Sequence, residues 1–285
     1  MRLSRLTAAA GPALLLACAT ARTPSTARET PLAARAQVPG VLFEVLYAPQ
    51  DAPEVPRIQR GLLAAVARAA RWGSFREGVL VQVLPDHAAL EDAVDRHGYP
   101  WLRAWAFSDQ VLLQSPRTWN TVDGADDEEV AELIAHEVTH ALMYQLMQPG
   151  DDPSWAVEEP PLWFREGMAS VTAGQGHRRP PAANLSRWAA EHPGDDLLRP
   201  APELYRIEKD AVYGAAHRAF ELLVKTAGDD AVRQLLRRVS AGSRFSDAFK
   251  ASTGHGLPEF EREAVRSGFD PAALRFAGTG SAGGL

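Results

Sequence analysis

Two histidines stand four residues apart in the segment His136-Glu137-Val138-Thr139-His140. On an α-helix, residues at this spacing lie on one face, so both imidazoles can reach the same metal ion. Neutral imidazole is a good ligand for zinc, which favours four-coordinate tetrahedral sites. Glu137 is rotated by one residue from the first histidine, so it would face a metal-bound water and leave the coordination shell open. The alternative is an ordinary helix with two unrelated histidines, and a third ligand is needed to decide between the two interpretations.

A candidate for the third ligand is Glu166, which lies in the segment Trp163-Phe164-Arg165-Glu166-Gly167-Met168-Ala169. This carboxylate follows two aromatic residues on a predicted helix, and the small residues Gly167 and Ala169 would let that helix pack close to the histidine helix. A solvent-exposed helical glutamate is the alternative for Glu166 taken alone. Its occurrence downstream of the histidine pair favours a metal ligand.

The two segments together resemble the gluzincin metallopeptidases, in particular their minimal, peptidase-MA-like branch. The resemblance covers roughly residues 101–260. It implies that His136, His140 and Glu166 bind one zinc ion and that Glu137 is the general base. It also implies that a β-strand above the active-site helix binds an extended peptide substrate.

The chain departs from the thermolysin-like members of this group on either side of the third ligand. Those enzymes carry Asn before the glutamate and Asp four residues after it, whereas this chain has Arg165 and Ser170. The aspartate that orients a zinc-binding histidine is therefore missing at that spacing, and the orienting partner must come from elsewhere. Asp210 is the candidate substitute.

The resemblance also suggests a donor for the oxyanion that forms during peptide hydrolysis. Tyr213 stands where related minimal gluzincins often place a tyrosine, and its phenol could donate a hydrogen bond to the oxyanion. His217, one turn later on the same predicted helix face, is the rival, and Tyr205 is a further choice. An amphipathic tyrosine of the core is the ordinary interpretation of Tyr213.

The elements that must position these residues divide near residue 124. Together with the resemblance, their pattern predicts a zincin-like α+β fold. A small α/β layer with a mixed sheet occupies residues 38–124, and a mainly helical part with the active-site helix occupies residues 125–275. Residues 104–107 or Gln110–Gln114 are the candidates for the edge strand that accepts substrate. The predicted strands are Val41–Tyr47, Val79–Leu84, residues 101–107 and Gln110–Gln114, and the predicted helices are residues 58–69, 86–96, 126–147, 161–173, 213–227, 229–241, 245–252 and 258–267.

Composition narrows the function classes. The 285 residues are 46% hydrophobic and 23% charged, which is enough apolar material for a core. The formal net charge is −6, so no overall basic field recruits nucleic acid. The single cysteine, Cys18, excludes an intramolecular disulfide and any metal site built from several thiolates. A metal site in this chain must therefore rest on imidazole and carboxylate groups.

The first residues have the pattern of an export signal. Residues 1–17 carry two arginines near the start, then a short apolar stretch and a small residue. Leu15-Leu16-Ala17-Cys18 resembles the lipobox of bacterial lipoproteins, which predicts acylation of Cys18, and ordinary cleavage after Ala21 is the alternative. This pattern predicts an exported protein of the cell envelope, lipid-anchored on the periplasmic or outer face of a bacterial membrane.

The two ends of the chain lack an apolar period. Residues 18–37 are rich in Thr, Ala, Pro and Arg and predict a flexible tether, and residues 276–285 predict a disordered tail.

The sequence therefore predicts a zinc-dependent metallopeptidase, an endopeptidase or an aminopeptidase, with peptides or proteins as substrates. The alternative is a non-catalytic zinc-binding envelope lipoprotein that binds a peptide or protein partner without cleaving it. The intact Glu137 argues for the enzyme, since a binding module does not need that carboxylate. A zinc hydrolase acting on a non-peptide amide is a third, weaker interpretation.

Overall fold

Five strands form one mixed sheet at the start of the described chain. The structure is a computed structural model, and it describes residues 31–119, 124–148 and 158–268. The strands are β1 (Leu32–Val38), β2 (Val41–Tyr47), β3 (Val79–Leu84), β4 (Ala104–Ala106) and β5 (Gln110–Gln114). In spatial order they run β1-β2-β3-β5-β4, so β4 lies at one edge of the sheet.

Strand β1 corrects the predicted tether, which was expected to continue to residue 37. It pairs antiparallel with β2 through a tight turn in which Gly40 has a φ of 88°, a conformation that glycine adopts without a steric penalty. Ala36 and Val38 point into the core while Arg35 and Gln37 are exposed. Buried and exposed residues thus alternate towards the end of this strand, as in other strands. Because several of its apolar residues are alanines, the segment has the composition of a linker.

Three of the other strand predictions are confirmed at their predicted residues, and the strand predicted at 101–107 is confined to Ala104–Ala106. Strands β2, β3 and β5 pair in parallel, and β4 pairs antiparallel with β5 across a turn that contains Ser108 and Asp109. One face of the sheet, which includes Phe43, packs against helices α1 (Val55–Ala69) and α3 (Asp127–Met147). The opposite face packs against α2 (His87–Val94).

Helix α3 is the central element of the molecule. Asp126 accepts a hydrogen bond from the backbone N–H of Glu129, and the Glu129 side chain accepts one from the backbone N–H of Asp126, so the two residues form a capping box. The helix packs against α1 on one side and α4 (Leu162–Ala173) on the other. Every residue from 134 to 143 is buried.

None of the helices in the described part of the chain has the length and apolar composition that a membrane span requires.

The second half is mainly helical, as predicted. The remaining helices are α5 (Ala182–Glu191), α6 (Pro202–Ile207), α7 (Lys209–Ser240), α8 (Phe245–Thr253) and α9 (Leu257–Gly268). The two helices expected at 213–227 and 229–241 form the one longer element α7, with non-helical backbone at Gly228 (φ 80°, ψ 166°) where the break was predicted. Helices α5 and α6 were not predicted; α5 begins directly after a proline, and α6 begins with one.

Gly167 allows a close helix contact, but with a different partner from the one expected. A Cβ at this position would lie 2.3 Å from the carbonyl oxygen of Ala216 and 2.6 Å from the Cβ of Phe220. Both neighbours belong to α7, not to the histidine helix α3. The glycine therefore sets the separation between α4 and α7, and through α4 it sets the position of Glu166.

Candidate metal centre

Three side chains predicted as ligands converge on one point. His136 and His140 project from the buried middle of α3, and Glu166 projects towards them from α4. The His136 Nε2 atom lies 3.1 Å from His140 Nε2 and 3.1 Å from Glu166 Oε2, and His140 Nε2 lies 3.5 Å from Glu166 Oε2. Around a tetrahedral zinc ion with bonds of about 2.0–2.1 Å, ligand atoms are separated by about 3.3–3.4 Å. The spacing and the chemistry of this donor set fit zinc.

Glu166 is an anion in this arrangement. Burial alone would raise its pKa, but the charge of His140 and hydrogen bonds from His136 and His140 hold the pKa well below the usual range. All three residues are buried. A buried carboxylate that stays ionised beside two imidazoles is a hard oxygen ligand ready to bind a divalent cation.

Glu137 is buried beside the ligands and lines the same cleft. Burial raises the pKa of its carboxyl to about 7, with His136 opposing the rise and Glu166 adding to it. Its side chain can therefore either accept or release a proton near neutral pH. The structure thus brings all four residues of the predicted centre together.

The partner that orients His136 is Gln175, a residue that the sequence interpretation missed. His136 Nδ1–H donates to Gln175 Oε1 at 3.1 Å, which turns Nε2 towards the centre. Asp210, the predicted substitute, does not do this, because its side chain is 75% exposed and lies 3.5 Å from Lys209 Nζ. The sequence offers one indication of this contact, namely Gly174. Its positive φ ends α4, and the chain that follows turns back towards α3.

Gln175 is itself held in place by Arg179. The Arg179 guanidinium donates to Gln175 Oε1 and, at 3.0 Å, to Ser170 Oγ. The same guanidinium lies over the ring of Tyr213, 5.1 Å from its centroid. Arg179 therefore links the orientation of one metal ligand to the position of the candidate oxyanion donor.

The three candidate donors differ in where they lie. Tyr213 lines the cleft with its ring centroid 6.1 Å from that of His136, and its hydroxyl lies 3.0 Å from the hydroxyl of Tyr205, which also lines the cleft. Burial, with the nearby Glu166 charge, raises the pKa of Tyr213 well above its usual value, so its phenol keeps the proton that a donor needs. His217 does not line the cleft; its Nδ1 lies 2.9 Å from Ser170 Oγ in the interior, which argues against the rival assignment.

The centre lies in a cleft with a volume of about 1020 Å³. Edge strand β4 lines it along its whole length, whereas β5, hydrogen-bonded on both sides, contributes Gln110. Of the two predicted substrate edges, β4 is the one with an open side within the described residues. Its backbone can accept an extended peptide beside the metal ligands.

No model of a known protein family matches the chain, and no curated protein is similar to it in sequence. Solved structures are similar in fold. Legionella pneumophila aminopeptidase A, solved with aspartic acid, has a TM-score of 0.52 and 15% identity over 81% of this chain and 27% of its own. An M1 zinc metallopeptidase from Deinococcus radiodurans has a TM-score of 0.44 and 16% identity over 85% of this chain and 52% of its own. This chain thus spans about a quarter and about half of those two proteins, and the likeness to the first is one of fold.

The N-terminal predictions, with the signal at residues 1–17 and the lipidation site Cys18, lie outside the described residues, as does the predicted tail. What the described chain has is a zincin-like α+β fold in which His136, His140 and Glu166 form a group able to bind a metal ion.

Proposed function

We propose that this chain is a zinc-dependent metallopeptidase that hydrolyses peptide bonds. The observation that carries the proposal is the convergence of His136 Nε2, His140 Nε2 and Glu166 Oε2 at the wall of an open cleft, with the Glu137 carboxyl beside them. Zinc held by these atoms supplies a Lewis acid that polarises a carbonyl group and acidifies water. The described residues that line the cleft supply the proton transfers and the positioning.

Glu137 is the general base of the proposed reaction. Its carboxylate takes a proton from the attacking water and then passes it to the nitrogen of the departing amine, so one group acts first as base and then as acid. Burial excludes bulk water from this carboxyl and keeps the transferred proton within the site.

Tyr213 supplies the hydrogen bond to the oxyanion. Its hydroxyl is protonated, it lines the cleft on the side of His136, and Arg179 and Tyr205 hold its ring and its hydroxyl in place. Such a preorganised donor does not need to reorient when negative charge develops on the carbonyl oxygen. The peptide itself lies along β4, antiparallel or parallel to it, as an added strand.

The decisive experiment compares the metal content and the peptide cleavage of the zinc-loaded chain with those of its Glu137→Gln variant. We expect one zinc ion per chain in both proteins and a loss of about 10²–10⁴-fold in the cleavage rate of a broad peptide library for the variant. Glu191→Gln makes the same change on the exposed surface of α5 and serves as the matched control.

Two outcomes contradict the proposal. A purified chain that takes up no zinc removes the whole metal argument. A chain that holds zinc and binds peptides but cleaves no member of the library favours the alternative, a zinc-binding protein that captures a peptide or protein partner.

We further propose that the chain is exported and anchored in the cell envelope through acylated Cys18. The support is the leader pattern of residues 1–17 followed by the lipobox-like segment. Mass spectrometry of the mature N-terminus tests it. A diacylglyceryl-modified Cys18 is the expected result, and an unmodified terminus at Arg22 contradicts the anchor.

A further inference from the structure

The cleft around the candidate metal centre is lined by more basic groups than the composition of the chain suggests. The whole chain carries a net charge of −6, yet cations outnumber carboxylates on the described walls of the cleft. The basic residues are Arg96, Arg103, Arg165, Arg179 and Lys209, and the acidic ones are Asp109, Glu137, Glu159 and Glu166.

The carboxylates of the cleft are already engaged or lie away from its interior. Glu137 and Glu166 belong to the proposed centre, and Glu159 Oε1 accepts from Arg165 Nη1 at 2.9 Å. Asp109 is exposed at the turn between β4 and β5. Within the described residues, the interior of the cleft therefore presents no uncommitted carboxylate to a positively charged group of a substrate, such as a free α-amino group.

Arg103 is the clearest example of a basic residue of the cleft that forms no ion pair with a described carboxylate. It directly precedes edge strand β4 and is half-buried, and its Nη1 donates to the backbone oxygens of Pro100 and Leu102 at 2.8 and 2.9 Å. No carboxylate of the described chain lies within 4.0 Å of its guanidinium. Burial lowers its pKa, and the charge of Glu129, which lies beyond ion-pair distance, opposes the fall.

Two further arginines that line the cleft also form no ion pair with a described carboxylate. Arg96 lies over the ring of Trp105, 5.1 Å from the centroid. Arg179, near the candidate metal ligands, donates to the neutral groups of Ser170 and Gln175 and forms no ion pair with a described carboxylate. Both guanidinium groups line the same cleft as Arg103.

We propose that this cleft selects peptides that carry a carboxylate close to the scissile bond, and that Arg103 binds that carboxylate. The inference rests on the proposed peptidase function and names its substrate class. Arginine offers a planar, bidentate fork that matches a carboxylate, which is why it is well suited to this recognition. The carboxylate can belong to an acidic side chain or to the C-terminus of the peptide, since the chemistry that Arg103 recognises is the same.

Binding is measured by fluorescence anisotropy with the zinc-loaded Glu137→Gln chain, so that the readout does not depend on cleavage. The peptides share one core and differ in their charges: Glu flanks with an amidated C-terminus, Gln flanks with an amidated C-terminus, Gln flanks with a free C-terminus, and Lys flanks with an amidated C-terminus. We expect at least one carboxylate-bearing peptide to bind about tenfold more tightly than the neutral one, which corresponds to ~1.4 kcal/mol, and the Lys peptide to bind most weakly. The preference should shrink as salt is added.

The variants assign the effect to one side chain. Arg103→Gln should abolish most of the preference, Arg103→Lys should retain part of it, and Arg103→Glu should invert it in favour of the Lys peptide. Arg187→Gln, which removes an exposed charge on α5 outside the cleft, is the matched control and should leave the preference intact. Circular dichroism checks that each variant is folded.

Two results overturn the inference. One is equal binding of the acidic, C-terminal-carboxylate and neutral peptides by the folded parent chain. The other is an undiminished preference in Arg103→Gln. A failure of the proposed function looks different, because it is a failure to bind zinc or to cleave the library and does not depend on peptide charge.

Discussion

Gly167 offers the most direct test of how the fold positions the centre. This residue follows the ligand Glu166 on α4, and its missing side chain lets α4 approach the backbone of α7. In Gly167→Ala the new Cβ would lie 2.3 Å from the carbonyl oxygen of Ala216, whereas ordinary contacts begin at 3.4 Å. A backbone carbonyl inside a helix cannot rotate away, so α4 and α7 must separate by about 1 Å.

The size of the effect follows from two opposing contributions to the free energy of unfolding. Alanine is a better helix former than glycine by ~1 kcal/mol, whereas forcing an extra methyl group into a packed interface costs about 1–3 kcal/mol and sometimes more. The clash is with the backbone and also with the Phe220 Cβ at 2.6 Å, so we place the packing cost at the upper end. The net destabilisation is then ~1–2 kcal/mol, a fall of about 2–8 °C in melting temperature for a domain of this size.

The same displacement acts on zinc binding. Metal–ligand distances tolerate errors of only ~0.2 Å, and a shift of α4 carries the Glu166 carboxylate away from the two histidines. Thermal unfolding of the metal-free chain measures the packing effect, and competition with a chelator measures the zinc affinity. Gly194→Ala is the control, because a Cβ there meets no atom within 4 Å. A Gly167→Ala chain with unchanged stability and unchanged zinc affinity would refute the reasoning.

Substitutions at three further residues test separate parts of the structure. Gln175→Ala should weaken zinc binding about 10–100-fold in chelator competition. Gln175→Glu should retain the affinity, because a carboxylate oxygen can accept the hydrogen bond from His136 Nδ1–H as the amide oxygen does. Equal zinc affinity of the parent chain and both variants would exclude an orienting role for Gln175. Tyr213→Phe should lower kcat about 10²–10³-fold with zinc content and KM nearly unchanged, and an unaltered kcat would exclude it as the oxyanion donor. Asp51→Asn should lower the free energy of unfolding, measured in urea, by ~1.5–3 kcal/mol, because the buried Asp51 carboxylate accepts hydrogen bonds from the Ser115 hydroxyl and the Arg117 guanidinium. A free energy of unfolding within ~0.5 kcal/mol of that of the parent chain would contradict this.

The parts of the fold that sequence predicts well are those with a strong local signal. Helix α3 combines an Asp126–Glu129 capping box with a long helical period, and the structure places its start and end within a residue of the prediction. The parallel strands are largely apolar and β-branched runs, interrupted in their interior only by Glu44 in β2 and Gln82 in β3. The histidine pair is likewise local, since its geometry depends on one helix and nothing else.

Helices and strands whose apolar residues are small or few are not predicted from the sequence pattern. Strand β1 carries alanine where a stronger signal would have valine or isoleucine, and its stability comes from the ladder with β2. Helix α5 follows two prolines, and α6 has six residues. Short helices of this kind form because tertiary contacts hold them, and a single sequence does not display those contacts.

The orienting contacts of the centre are the least predictable part. Gln175 and His136 are 39 residues apart in the chain, and a glutamine is not distinguished from other polar residues by any spacing rule. Asp210 was preferred because a carboxylate is the usual partner, yet its helix turns it towards solvent. The direction of a side chain on a distant helix depends on packing angles that the motif does not encode.

The complete burial of α3 between residues 134 and 143 also determines how the protein can open. Backbone amides in this stretch face neither solvent nor an end of the helix, so no local fluctuation can uncover them. Their hydrogen exchange should therefore proceed through unfolding of the whole domain, and their exchange rates should report its global stability. The helix that would carry the proposed chemistry is thus the last part of the domain to open, and any adaptation to different peptides would occur at the rim of the cleft.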